Sequence, residues 1–250
     1  MNAMNERHNG SANGGLFFIA IALVATGWLV GRGVSSIRTA DRYVTVKGVA
    51  ERTVRADLAL WPIQIASSDD DLVRAQARID ENVRKVTKFL LANGVDTTEV
   101  ELQGLRVTDA FANPYQPQGR PGARYVVKQT MMVRTEEPLK VQAASQKVGE
   151  LVGAGVVLSS GEEWGPGGPT YVFKRLNALK PAMIAEATAE ARKGAEQFAK
   201  DSRSRLGGIR HASQGVFVIL PRDEAPGIQE PSQMEKTVRV VTTVDYMLRN

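Results

Sequence analysis

Between Arg7 and His8 on one side and Arg32 on the other, the chain carries no charged side chain. The middle of that gap, residues 16–30 (LFFIAIALVATGWLV), is almost unbroken apolar sequence. A bilayer core about 30 Å thick is spanned by roughly 20 mainly apolar helical residues, because each residue advances the helix by about 1.5 Å. Counted over residues 13–34, with Gly14, Gly15, Gly31 and Gly33 as soft ends, the segment is long enough. The expected membrane anchor is therefore Leu16, Phe17, Phe18, Ile19, Ile21, Leu23, Val24, Trp28, Leu29 and Val30, with Trp28 near the far interface. A cleaved signal peptide would place a small-x-small site soon after the apolar run. Trp28-Leu29-Val30-Gly31-Arg32 stands there instead, and a later site ending at Ala40 would need Arg38 where a small residue belongs. A soluble core helix is amphipathic, whereas this run is apolar all round. Residues 1–12 read as a disordered tail and residues 35–42 as a short polar connector. The Lys and Arg balance, with Arg7 ahead of the span and Arg32, Arg38 and Arg42 behind it, points mildly away from export of the C-terminal domain.

Residues 43–250 suffice for one large domain or two small ones with a sizeable core. A net charge of +5 favours anionic surfaces such as lipid headgroups. The cations are interleaved with acids, as in Asp80-Glu81 before Arg84-Lys85 and Glu190 before Arg192-Lys193, so no basic stripe emerges and nucleic acid is not an expected partner. With no cysteine, disulfide frameworks, thiol catalysis and thiolate metal sites are excluded.

Residues 43–68 read as two strands, one with Val44 and Val46 on a face, the other with Trp61, Ile63 and Ile65 aligned and Pro62 marking an edge or bulge. From Asp69 the period becomes helical through Leu72, Gln76, Ile79, Val83, Val86 and Leu90. Ser68 is the expected cap, Asp69, Asp70 and Asp71 suit the positive end of the dipole, and Asn93-Gly94-Val95 closes the helix. Residues 99–111 and 125–135 form a hairpin with a bulge at Gly104 and a Pro/Gly-rich tip, residues 112–123. A helix over residues 138–154, a strand over 170–175 and a helix over 177–206 come next. The last carries a mostly small-residue stripe (Leu179, Met183, Ala187, Ala191, Ala195, Phe198) and ends at Gly207-Gly208. Strands over residues 215–220 and 236–248 complete the chain. The fold class is α+β: antiparallel sheets with packed helices in the order ββαββαβαββ, preceded by one transmembrane helix.

Several of these pieces, in this order, resemble the SIMPL-domain family. They are Val44-Thr45-Val46-Lys47-Gly48, Ala56-Asp57-Leu58-Ala59, Asn93-Gly94-Val95 leading to Glu99-Val100-Glu101-Leu102, Tyr171-Val172-Phe173 with Leu176-Asn177, and Leu206-Gly207-Gly208-Ile209. The resemblance covers residues 43–246. It implies a bacterial envelope protein of α+β fold, usually exported to the periplasm, with no established enzymatic activity. A kinase-associated mammalian relative gave the family its name, and one envelope antigen in it assembles as a ring-like homo-oligomer. On this resemblance the chain is expected to self-associate. It departs from the usual pattern in keeping an anchor in place of a removable signal, and in the insertion of residues 165–169.

Motifs for chemistry are missing. The only histidines are His8 and His211, so no metal-hydrolase cluster can form, and no serine-nucleophile, phosphate-loop or dinucleotide motif occurs. No cofactor, metal or catalytic residue is expected, and no small-molecule ligand can be named. The pairs Glu136-Glu137 and Glu162-Glu163 flank turns. Met131 and Met132 point to opposite faces of one strand, with Met131 in the core. The better functional candidate is the loop FANPY, whose Phe111 and Tyr115 can anchor a partner at an exposed tip. The expected protein is a non-enzymatic, membrane-anchored, periplasm-facing domain. The alternatives are an envelope hydrolase using scattered carboxylates and a cytoplasm-facing tethered adaptor.

Overall fold

A computed structural model describes residues 22–24, 26–28, 42–112, 122–159 and 168–249. Within the apolar stretch, residues 22–24 and 26–28 are helical, and Leu23, Val24 and Trp28 are exposed. Leu16, Phe17, Phe18, Ile19, Ile21, Leu29 and Val30 lie outside the described residues, as does Tyr115. Among the described residues no helix is long and apolar enough to cross a membrane.

The elements are β1 (Tyr43–Arg55), β2 (Leu58–Asp69), α1 (Leu72–Ala92), β3 (Val100–Asp109), β4 (Tyr125–Thr135), α2 (Pro138–Gln146), α3 (Gly149–Gly153), β5 (Thr170–Val172), α4 (Leu176–Asp201), β6 (Arg205–Gln214), β7 (Val218–Pro221) and β8 (Glu235–Arg249). The class is α+β, as expected. One sheet has the order β3-β4-β2-β5, and the other β1-β8-β6 with β7 also pairing β8. The chain divides into two compact units. The smaller comprises Met1–Ala50, Ile184–Val216 and Val241–Asn250, the larger Glu51–Met183 and Phe217–Val240.

In the larger unit β2 and β4 run antiparallel from Ala59 opposite Thr135 to Asp69 opposite Tyr125. Trp61, Ile63 and Ile65 alternate inward with Val127, Met131 and Val133, and α1 lays Ala75, Ile79, Val86, Phe89 and Leu90 over them. Leu72, expected on that face, is exposed. Asp71, rather than Ser68, is the N-cap, accepting the Arg74 amide. The far end closes as the sequence indicates. Gly94 has φ +80, its amide reaches Leu91, and the Val95 amide reaches Leu90, with both Val95 and Leu90 buried.

Pro62 is an edge residue only in part. β5 pairs Leu58, Ala59 and Leu60, and residues 157–159 take up the same side of β2 again, through Ala66 to Val157 and Ser159 to Gln64. Pro62 falls between these stretches, where its missing amide leaves no ladder bond unmade. The Gly104 bulge is present: Gly104 has φ +59 and the β3–β4 register shifts between Gln103 and Arg106. The buried Gln129 side chain donates to the Gln103 carbonyl, satisfying a group that the bulge withdraws from the ladder.

In the smaller unit β8 is long and alternates as expected, but Gly207-Gly208 does not end a helix. α4 stops at Asp201, and both glycines lie inside β6, where the register against β8 shifts on each side of Ile209. A Cβ on Gly207 would sit 3.0 Å from the Met247 carbonyl oxygen, so glycine serves close strand approach here. The helix expected over 138–154 is divided into α2 and α3. The order is therefore ββαββααβαβββ. In α4 the buried stripe is Met183, Ala187, Ala191, Ala195 and Ala199 at a strict four-residue spacing, and Phe198 is exposed.

Candidate functional site

β2, β3 and β4 end together, with Asp69 and Asp109 each opposite Tyr125 in register. Beyond Asp109 a 3-10 turn, Ala110–Ala112, leads into the tip loop. The Asp109 carboxylate accepts the Phe111 amide at 3.0 Å, which fixes the turn, and holds Arg124 by Nε at 3.3 Å and Nη2 at 3.1 Å. Arg124 in turn lies over the Tyr125 ring at 4.8 Å and the Phe111 ring at 5.8 Å. Its amide donates to Asp70, and its carbonyl accepts the Ala110 amide at 2.7 Å. The Arg124 guanidinium and the Phe111 amide hold the Asp109 carboxyl below the usual aspartate range. Phe111 stays 53% exposed on this fixed base. The result is a platform of ring, guanidinium and ring at the root of the tip loop, suited to an aromatic or cationic contact from a partner.

Alongside it, Asp69 accepts the Asp71 amide and pairs with Arg74 at 2.9 Å and Arg78 at 3.1 Å. These contacts hold its carboxyl low, the Asp71 amide first. The three aspartates are thus a turn and a helix start, as the sequence indicates. β3 continues the platform along the sheet edge. Leu102, Leu105 and Val107 keep 56, 54 and 46% of their surface exposed. Leu102 faces the same way as buried Met131 and Val107 the same way as buried Val127, yet α1 packs chiefly on β2 and β4.

A concavity of about 580 Å³ is lined by Arg55, Leu139, Gln142, Arg222, Met234 and Glu235. Its charges are matched: Glu235 binds Arg222 and Arg55, and Arg222 also binds Asp223 at 2.6 Å. The Gln233 amide clasps the Asp223 main chain in both directions. Ala225-Pro226-Gly227-Ile228 is a type II turn, with Gly227 at φ +82 and the Ile228 amide on Ala225. Lys236 is fully buried, donating to the Glu230 carboxylate and, at 2.7 Å, to the Glu230 carbonyl. A further groove of about 330 Å³ lies along Leu60, Glu99, Glu101, Gln103, Met132 and Arg134.

The remaining sequence candidates are dispersed. Glu136 pairs with Lys174 and Glu137 with Lys140, Glu162 and Glu163 lie outside the described residues, and His211 is exposed on β6 opposite Asp245. Among the described residues no group of acids and histidines could hold a metal. Arg124, Lys236 and the Arg222–Glu235 pair were not singled out from sequence. Lys236 had a signal, since it shares strand parity with Val238, Val240 and Val244.

Asp57, before β2, accepts the Lys174 amide at 2.7 Å, the Arg175 amide at 3.2 Å and Arg175 Nε at 2.9 Å, while its own amide donates to Val172. It therefore clamps the passage from β5 into α4. The SIMPL family, described as "Protein of unknown function (DUF541)", matches residues 44–246, from the second residue of β1 into β8. The chain belongs to the SIMPL family. The SIMPL match takes in both sheets, the Asp57 clamp, the platform and β3, and leaves out residues 1–43. No curated protein matches the chain.

Proposed function

We propose that this SIMPL protein is a single-pass inner-membrane protein whose domain faces the periplasm and works without catalysis, by binding envelope components and further copies of itself. The observation that carries this reading is the β3 edge. It presents three half-exposed apolar side chains, pairs among the described residues with β4 alone, and ends in the fixed Phe111–Arg124–Tyr125 platform. An unpaired strand edge offers a row of backbone donors and acceptors, and apolar side chains along it add burial on association. The anchor is supported by the charge-free run of residues 9–31 and by the helical residues within it. The periplasmic side is supported by the habit of the family, against a mild charge bias.

Alkaline phosphatase fused after Asn250 tests the topology. Activity of the fusion, with retention of the protein in membranes through an alkaline wash, is the expected result. An inactive phosphatase fusion with a bright cytosolic fluorescent reporter at the same position would overturn the periplasmic assignment.

A further inference from the structure

Cations scattered through the sequence are gathered by the fold at one end of the smaller unit. Arg205 and Arg249 are directly opposed in the β6–β8 pairing, and Leu248 donates its amide to the Arg42 carbonyl at 2.8 Å. Arg42, Arg249 and Arg205 therefore mark the ends of three strands that lie in the order β1-β8-β6. The turn from α4 into β6 adds Lys200 and Arg203, linked by the Arg203 amide on the Lys200 carbonyl at 3.1 Å. All five side chains are exposed. Among the described residues the acid in this group is Asp201, whose carboxylate accepts from Gln197; Asp41, next to Arg42 in sequence, lies outside them. Farther along the sheet Asp245 accepts from Thr45.

Like charges set directly opposite each other across a sheet destabilise it. Arg205 and Arg249 are such a pair, an arrangement that a surface of negative charge would relieve. The position of the cluster says which surface. Arg42 is where the chain enters this unit from the connector, and residues 35–42 reach at most about 28 Å even when extended. Next along β1, Tyr43 is half-exposed with Arg210 over its ring at 4.5 Å, an amphipathic aromatic of the kind favoured at headgroup level.

We propose that this end of the smaller unit docks on an anionic lipid bilayer, with Arg42, Lys200, Arg203, Arg205 and Arg249 against the phosphate headgroups. The proposal deepens the anchored reading and rests on it for the short tether. Each cation beside an anionic leaflet strengthens binding about fivefold, and the attraction fades within a Debye length.

Because the chain lacks cysteine, Ser202→Cys gives a single labelling site beside the cluster. Labelled full-length protein is placed in vesicles of phosphatidylcholine, with or without phosphatidylglycerol, and energy transfer to a lipid-borne acceptor is read. Transfer is expected to be higher with phosphatidylglycerol, to fall to the neutral-lipid level in about 0.5 M salt, and to lose its lipid dependence in R203E/R205E/R249E. The neutral set R203Q/R205Q/R249Q, checked for an unchanged thermal melt, should lose most of it too. Equal transfer in both vesicles, or a lipid dependence that survives in either folded variant, would overturn the proposal. Flotation with neutral vesicles after an alkaline wash reports on the anchor separately. Should the protein be lost there, salt-sensitive binding to anionic vesicles still decides for the docking face, and no such binding decides against it.

Discussion

At Gly48 the backbone of β1 meets that of α4 so closely that a Cβ would lie 1.8 Å from the Ala187 carbonyl oxygen and 2.5 Å from the Ala191 amide nitrogen. Neither is a side chain that can turn away. Gly48→Ala is therefore expected to destabilise the protein by about 3 kcal/mol or more, beyond ordinary overpacking. Gly208→Ala, in open space on β6, should stay within about 0.5 kcal/mol. Thermal and urea melts of the two variants check this, and equal effects would deny the close approach. Asp57 makes a second residue-scale case. Burial alone would raise its carboxyl, but the Lys174 and Arg175 amides and the Arg175 guanidinium together outweigh burial and hold it below the ordinary value. A carboxyl depressed in the folded state adds stability that is complete above its unfolded value, about pH 4, and is lost as the pH falls through the lower folded value. Asp57→Asn should cost about 1.5–3 kcal/mol at neutral pH, and the gap to wild type should close only in acid below that point. A gap independent of pH down to the acid limit would mean that the charge is not what holds the joint. Sequence alone ties Asp57 to the family pattern but not to its partners, because those partners stand more than a hundred residues away.

Among the elements, those with local signals were legible. The α1 period, its Asn93-Gly94-Val95 end, the alternation of β8 and the Gly104 bulge arise from side chains within one or two turns of one another. Gly207-Gly208 was misread because a glycine pair after an alanine-rich run looks the same whether it caps a helix or lets two strands approach. Only the position of Met247, set by tertiary pairing, distinguishes them. α2 and α3 were merged for a related reason, since Lys147 and Val148 fit a helical period although the chain turns there. The candidate site was legible as a tip with an exposed Phe111. The Arg124 stack was not, because it joins the two ends of a long loop. At the bulge, Gln129→Leu removes the donor that serves the Gln103 carbonyl, and we expect a loss of about 1–3 kcal/mol with the register kept. Chemical denaturation measures the first, and amide exchange along β3 the second. Unchanged stability would show that water replaces Gln129 there.

For the whole molecule, the proposed binding role rests on one half-apolar sheet edge and a fixed aromatic platform. In the proposed arrangement an anchor in the bilayer would hold every copy in one plane and one orientation, which would favour lateral association by raising the effective concentration. Burial of Leu102, Leu105 and Val107 on association adds roughly 25 cal/mol for each Å² of apolar surface removed from water, before the entropic cost of assembly. Charges at these positions should be far more damaging to assembly than to folding, since the side chains are already half-exposed in a single chain. The direct measurement is mass photometry of the full-length, detergent-extracted protein beside L102E/V107E, with circular dichroism to establish that both are folded. Wild type is expected as a discrete oligomer and the folded variant as a monomer. A wild type that is monomeric at the same concentration, or a variant that assembles as well as wild type, would contradict self-association through β3.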